Sequence, residues 1–523
     1  MKRAVRAISR LGWGAVAALA ACGGGSGGGG GPGEQGKVVV TVAIGGLGGG
    51  EVRATGGTFR CSGPACLLEG EAGSTLTLEA SPAAGGAFTG WSGACSGTGS
   101  CRLTFDLGAA KVVAGFAPPG TWSRSFGSAG ADVPLAVARD ATGNATVLGV
   151  LAQDARVDGQ TLAAGVFVAQ FGAGGTLRWG RSLPKLGTDA RLRALAGGDL
   201  LVAGSFSGTV QLGAQSLTSA GGTDLLVSRL DPSGAPRWAR RLGGAGDERV
   251  TLLDAAASGA LLVGGDTTQG YSAEDCPSPC TFLTAGFVYS LGGDGQLASV
   301  SAQGKGPAAL ATDGLGRRIL AGDDASSTFS LWVAATDADG AWVWGYEPTR
   351  PAAARAVPRW LRASATGEVL VAGSYAGTLT DVGTVGFESR ADLFLLSLSP
   401  TGAVRWGRSY GGDDLQVLGG AALDARGDLV LAGSSYGSRP DLGSGAVDLG
   451  AGLGQQAFVA RYGTDGTPRW SAVFGSTGED AAVDAASAGA DVAVVGSFEG
   501  SVHFGDAERT SVGSKDIFLL SVP

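Results

Sequence analysis

The chain holds a single histidine, His503, among 523 residues. Any Ser-His-Asp relay must pass through it, and no nucleophile motif surrounds it. It reads as a packed or surface imidazole. Acidic residues offer more. Four short stretches follow a recurring Trp phrase: GSAGAD (127–132), GGAGDE (243–248), GGDD (411–414) and GSTGED (475–480). Asp132, Asp247, Asp413 and Asp480 could present a ring of carboxylates to Ca²⁺, an oxygen-seeking ion, or they could cap turns. None of these stretches has the dense alternating ligands of an EF-hand loop, which favours caps. No cofactor other than Ca²⁺ is expected. Arg426-Gly427-Asp428 spells an integrin-type tripeptide, yet it falls where other copies of the repeat have Thr142-Gly143-Asn144 and Thr366-Gly367-Glu368, so turn chemistry accounts for it. Three close cysteine pairs remain: Cys61 and Cys66, Cys95 and Cys101, Cys276 and Cys280. Their proximity favours three small disulfide loops in an oxidising compartment. Zinc is the rival reading, weakened by unequal spacings and the lone histidine.

The first residues place these groups outside the cytoplasm. MKRAVRAISR carries Lys2, Arg3, Arg6 and Arg10 without an acid, and the apolar run after it is too short for a span of about 20 residues. It reads as a signal-peptide core over residues 1–21. Leu19-Ala20-Ala21-Cys22 resembles the lipobox of bacterial lipoproteins. That resemblance implies cleavage before Cys22, lipid attachment at Cys22 and a mature chain held to a membrane. Gly23 stands where an inner-membrane retention signal would have Asp, which points to the outer membrane, facing either the surface or the periplasm. Residues 22–36, ten of them Gly, read as a flexible tether.

The formal net charge is −8, and loss of the leader makes the chain more acidic. Such a surface repels phosphate backbones, so no nucleic-acid partner is expected. Glycine contributes 96 residues, far above a usual share of about 7%. Many short strands joined by tight turns explain this abundance. Residues 37–118 alternate apolar and polar positions in TLTLEA and CRLTFDL. Their Phe88, Gly90, Trp91, Ser92, Gly93 and Cys95 resemble the signature of the divergent internalin-type bacterial repeat. The resemblance implies a small β-rich spacer or adhesion module; Trp91 is expected in its core.

From 119 to 523 one phrase recurs, as in VRWGRSYG (404–411), LRWGRSL (177–183) and PRWARRLGG (236–244). A second marker, a strand ending in Gly, recurs seven times at spacings of 51 to 63 residues. Each copy reads as four strands: an Ala-rich first strand, a hairpin to the Gly-ended second, an apolar third, then the Trp strand. Four antiparallel strands repeated seven times predict an all-β, seven-bladed β-propeller. The region opens on an orphan Trp strand at 121–127, and its C-terminal phrase is a third strand, KDIFLLSVP. Joining the two closes the ring and removes its open edges. The segments 405–434 and 122–149 resemble the bacterial seven-bladed propeller repeat family (SBBP-like), which implies exported proteins mostly without assigned activity. Asp231-Pro232-Ser233-Gly234-Ala235-Pro236-Arg237-Trp238 also resembles the quinoprotein repeat.

In such a ring the loops between second and third strands emerge on the same face as the connections between blades. That face carries the Asp stretches, the cysteine insertion (267–286) and a long loop (434–456), which makes it the expected place of recognition. Tyr271, Asp275, Tyr436 and Arg439 are the expected ligand contacts. A monomeric, non-catalytic binding or adhesion scaffold for an unknown protein or glycan ligand is the leading expectation. The alternatives are a propeller hydrolase or lyase acting on extracellular polysaccharide, and a structural subunit of an outer-membrane assembly. First strands such as LAVA (135–138), AALA (308–311) and GGAA (419–422) bring no carboxylates to a central channel.

Overall fold

The computed structural model describes residues 37–523 apart from 63–64, 107–110, 257, 269–285, 304–306, 324–330, 339, 349–354, 380, 386–390, 413–414, 438–439 and 444–453. Every described element is a strand or an isolated bridge. Among the described residues no helix is long and apolar enough to cross a membrane.

Alternation of apolar and polar residues builds two four-stranded sheets from residues 37–117. One contains Lys37–Gly46, Ala65–Glu71, Ala87–Gly93 and Lys111–Ala117; the other contains Gly50–Ala54, Arg60–Cys61, Thr75–Pro82 and Cys101–Thr104. Their facing sides bury Val40, Val42, Val52, Leu78, Leu103, Val112 and Phe116. Trp91 belongs to this core, stacks edge-on against Phe88 and donates its indole N–H to Gly99 O at 2.6 Å. Disulfides join Cys61 to Cys66 and Cys95 to Cys101. The expected Cys276–Cys280 pair lies outside the described residues.

Seven antiparallel blades follow among the described residues, the first six with their four main strands in chain order from the centre outward. Their first strands are Val133–Arg139, Arg191–Ala194, Glu248–Ala255, Pro307–Thr312, Arg355–Ala363, Leu415–Leu423 and Ala481–Ala488. The seventh blade takes its fourth strand from the start of the propeller: Trp122–Phe126 pairs with Asp516–Val522, with Phe126 opposite Ile517 and Trp122 opposite Ser521. This pairing closes the ring, reinforced by Asp132 N donating to Lys515 O at 2.9 Å and by Arg509 donating to Ser123 O at 2.7 Å.

Its core is a series of layers between neighbouring blades. The seam between blades seven and one buries Phe126, Phe167, Phe171, Val495, Ile517 and Leu519. The layer between blades three and four is smaller, with Leu252, Leu262, Val288, Leu310 and Leu320 buried among the described residues. The recurring Trp phrase has its explanation at the outer edge. Trp122, Trp179, Trp238, Trp344 and Trp406 each lie against a glycine in the next blade's third-to-fourth-strand turn, at Gly175, Gly234, Gly295, Gly402 and Gly466 respectively. A Cβ at any of these five would stand 2.5–2.8 Å from the indole. Those glycines have φ between 76° and 83°, so no other residue suits both the turn and the contact. Blade three has no Trp in its fourth strand, Leu297–Gln303, and nothing approaches the corresponding Gly340 in blade four.

Candidate functional site

Connections between blades position everything on the channel face, and buried acids hold them. Asp132 accepts hydrogen bonds from Ser128 N and Oγ and from Ala152 N. Asp480 does the same for Ser476 N and Glu499 N, and Glu248 for Gly244 N and Thr267 Oγ1. Asp247 accepts from Thr223 N at 2.9 Å. These carboxylates act as turn caps in the structure, and no group of three or more metal-ligating side chains occurs among the described residues. Asp413 lies outside those residues. Asp189, a fifth capping acid in the blade-two connection, carries a weaker sequence signal because Pro184-Lys185-Leu186 separate its stretch, GTDARL, from the LRWGRSL phrase. It accepts from Ser205 N and Oγ and, across the blade boundary, from Val250 N at 2.8 Å.

The loops between second and third strands are less free than expected. In blades one, two, five and seven they contain small hairpins. These hairpins bury Leu162, Leu212, Leu379, Val502 and Phe504. They thicken the rim, and in blade seven they meet the repeat domain, where Leu47 packs in one cluster with Phe498, Phe504 and Phe518. His503 lies at this junction, making a hydrogen bond with the backbone of Thr89 and accepting one at Nδ1 from Gly505 N. Burial holds its imidazole below the ordinary value of 6.5. Of the four expected ligand contacts, Tyr436 is described, and it is exposed at the end of a blade-six strand. Tyr271, Asp275 and Arg439 lie outside the described residues, as does Cys22. The Arg426-Gly427-Asp428 turn is tied down: Asp424 accepts from the N–H groups of Arg426 and Asp428, and the Arg426 guanidinium donates to Asp424 and Ala490 O.

The channel itself has a cavity of about 1020 Å³. Small residues line it as expected in blades one, four and six, including Ala136, Ala309 and Gly420. Elsewhere the first strands carry charge. Arg191 and Arg193 face the channel from blade two, Arg249 and Asp254 from blade three, Arg359 and Arg362 from blade five and Asp484 from blade seven. Arg193 pairs with Asp254 at 2.9 Å. Asp484 accepts hydrogen bonds from Val137 N at 3.0 Å and from Ala485 N at 2.9 Å. Gly420 makes room for it, since a Cβ there would stand 2.5 Å from Asp484 Oδ1. Burial pushes the Asp484 carboxyl up to about 6, against the pull of those N–H groups and of Arg191 and Arg193. Arg191 is lowered by burial, opposed by Asp484 and Asp189 and reinforced by the charges of Arg359 and Arg249. On the second strands, Asp266 stands in register with Arg249 and is raised by burial and by Asp323 of the next blade.

Residues 40–118 match the divergent InlB B-repeat domain family. No curated protein matches the chain. Among solved structures it is similar to a catalytically inactive virginiamycin B lyase from Staphylococcus aureus with quinupristin, at 9% identity and TM-score 0.39 over 76% of this chain and 99% of that one. It is also similar to the Pan2 WD40 domain of Neurospora crassa, at 10% identity and TM-score 0.37 over 75% and 90%. A protein from Lactobacillus plantarum aligns at 15% identity and TM-score 0.38 over 64% and 83%. At such scores these likenesses carry no argument about what this chain binds.

Proposed function

We propose that the protein is an exported, lipid-anchored binding scaffold of the bacterial cell envelope, acting as a monomer without catalysis of its own. The lipobox-like Cys22 and the Gly-rich tether support the anchor, and the repeat domain serves as a spacer. The observation that carries the reading is the pinned channel face. Asp132, Asp189, Glu248 and Asp480 spend their carboxylates on backbone and hydroxyl groups of the blade connections, so the face is rigid before any partner arrives. Its ligand, a protein or a glycan, contacts Tyr271, Asp275, Tyr436 and Arg439.

The test is a pull-down and glycan-array screen with soluble residues 37–523, with and without Ca²⁺, repeated on the variant carrying Tyr271→Ala, Asp275→Ala, Tyr436→Ala and Arg439→Ala. A retained partner that the variant loses is the expected result. A partner whose affinity ignores all four changes overturns the site. Turnover of a retained polysaccharide would favour the hydrolase or lyase alternative, and copurification in a detergent-solubilised outer-membrane complex would favour the structural one.

A further inference from the structure

We propose that the central channel is a binding site for a small ligand with two anionic groups, carboxylate or phosphate, held by Arg191, Arg249, Arg359 and Arg362. The first reason is that the fold does not need these charges. Ala136, Arg191, Ala309, Trp360, Gly420 and Asp484 occupy equivalent places in six blades, each paired with the residue before the glycine that marks the second strand. Alanine or glycine satisfies that place in three of them. Ring closure therefore does not require a charge there, and Arg191 is one that it does not explain.

A second reason is that arginines outnumber acids in the channel lining, Arg139, Arg191, Arg193, Arg249, Arg359 and Arg362 against Asp254, Asp266, Asp323 and Asp484. The chain is acidic overall, yet among the described residues none of the guanidinium groups of Arg191, Arg249, Arg359 and Arg362 makes an ion pair within 4 Å, while Arg193 beside them does. Arg191 donates only to the backbone oxygens of Asp189 and Ala190. Like charges gathered between low-dielectric walls repel one another and concentrate counter-anions. The planar guanidinium fork is suited to carboxylate and phosphate.

Size and spacing narrow the ligand. A cavity of about 1020 Å³ is at the upper end of small-molecule sites. Arg191 precedes Arg193 by two residues on one strand, a step of roughly 6.7 Å. Arg193 and Arg362 are each paired with the residue three before the second-strand glycine, at Leu201 and Leu370, whereas Arg191 and Arg359 lie beside that glycine. The arginines therefore form two tiers, and a ligand with anionic groups several bonds apart can reach both. Asp484 beside the first tier has its carboxyl raised to about 6 by burial, so an entering anion meets a group that is readily neutralised.

The inference rests on the binding-scaffold reading of this face but not on its loops. Isothermal titration of residues 37–523 with citrate, with inorganic pyrophosphate and with neutral maltotriose tests it and separates carboxylate from phosphate. Saturable binding of at least one anion, absent for maltotriose, is expected. The Arg359→Gln/Arg362→Gln variant should weaken it about tenfold or more, with Arg359→Lys/Arg362→Lys intermediate and circular dichroism reporting an intact fold. No saturable binding by either anion, equal binding of maltotriose, or undiminished affinity in the glutamine variant would overturn it. Loss of the loop partner in the four-residue rim variant with anion binding unchanged leaves this inference standing; the reverse pattern leaves the loop reading standing.

Discussion

Phe126→Ala tests the closed ring most directly. Phe126 lies on the borrowed strand, 5% exposed and opposite Ile517. Its ring stacks 5.2 Å from Phe171 and meets Phe167 edge-on at 6.0 Å, so it bridges blades seven and one. Truncating a buried phenylalanine costs about 3–5 kcal/mol. The smaller figure already raises the unfolded fraction roughly a hundredfold. Phe126 serves both the pairing that completes blade seven and the apolar seam to blade one, so this loss should be felt by the whole propeller and not only by the first few residues. Equilibrium unfolding in guanidinium chloride, followed by tryptophan fluorescence, should show a lower midpoint, and amide exchange across Asp516–Val522 should accelerate. Val512→Ala, at a position 76% exposed, serves as the control and should change neither. If Phe126→Ala leaves both midpoint and exchange at parental values, residues 122–126 do not complete the seventh blade, and the rigid face loses its foundation.

Two further predictions concern the acids and the lone histidine. Asp132→Ala strands buried donors of Ser128 and Ala152 and should cost about 1–3 kcal/mol for each one left unmade, seen as a lower thermal midpoint; EDTA should leave the parent's midpoint unmoved, whereas an EDTA effect matching the substitution would identify Asp132 as a metal ligand. His503 has its folded pKa depressed below 6.5 by burial, a shift that Thr89, Asp506 and Glu508 oppose and Arg509 assists. The unfolded chain therefore binds the proton more readily, so this contribution to stability is complete above about pH 6.5 and declines as pH falls below it. His503→Gln should flatten that part of the stability curve, and an unchanged slope would place the imidazole in solvent.

The propeller was legible because its signals are local and repeated. Gly-ended second strands, hairpin turns such as 140–144 and the orphan Trp122 strand each state a part of the topology, and the seam follows from pairing the two incomplete ends. That the platforms of the tryptophans are positive-φ glycines one blade further on was not legible, because the contact joins residues about a repeat apart. The channel was misread for a related reason. LAVA, AALA and GGAA bring no carboxylates inward, but Arg191, Arg193, Asp254, Arg359, Arg362 and Asp484 come from the first strands of the other four copies, where alternation within one short strand gives little hint of which side faces inward. Arg191 and Arg193, two apart in a first strand, were the available signal. Asp189 was missed because it caps its turn from a stretch unlike the other four.

The borrowed strand also sets the order in which this molecule can be made. Trp122–Phe126 leaves the ribosome before any complete blade, and its partner, Asp516–Val522, leaves after six blades have been made. The growing chain must therefore keep an unmatched edge waiting through the synthesis of those six blades. Whatever protects nascent chains has its longest task here with that one early segment, and products truncated before Asp516 would carry it permanently exposed.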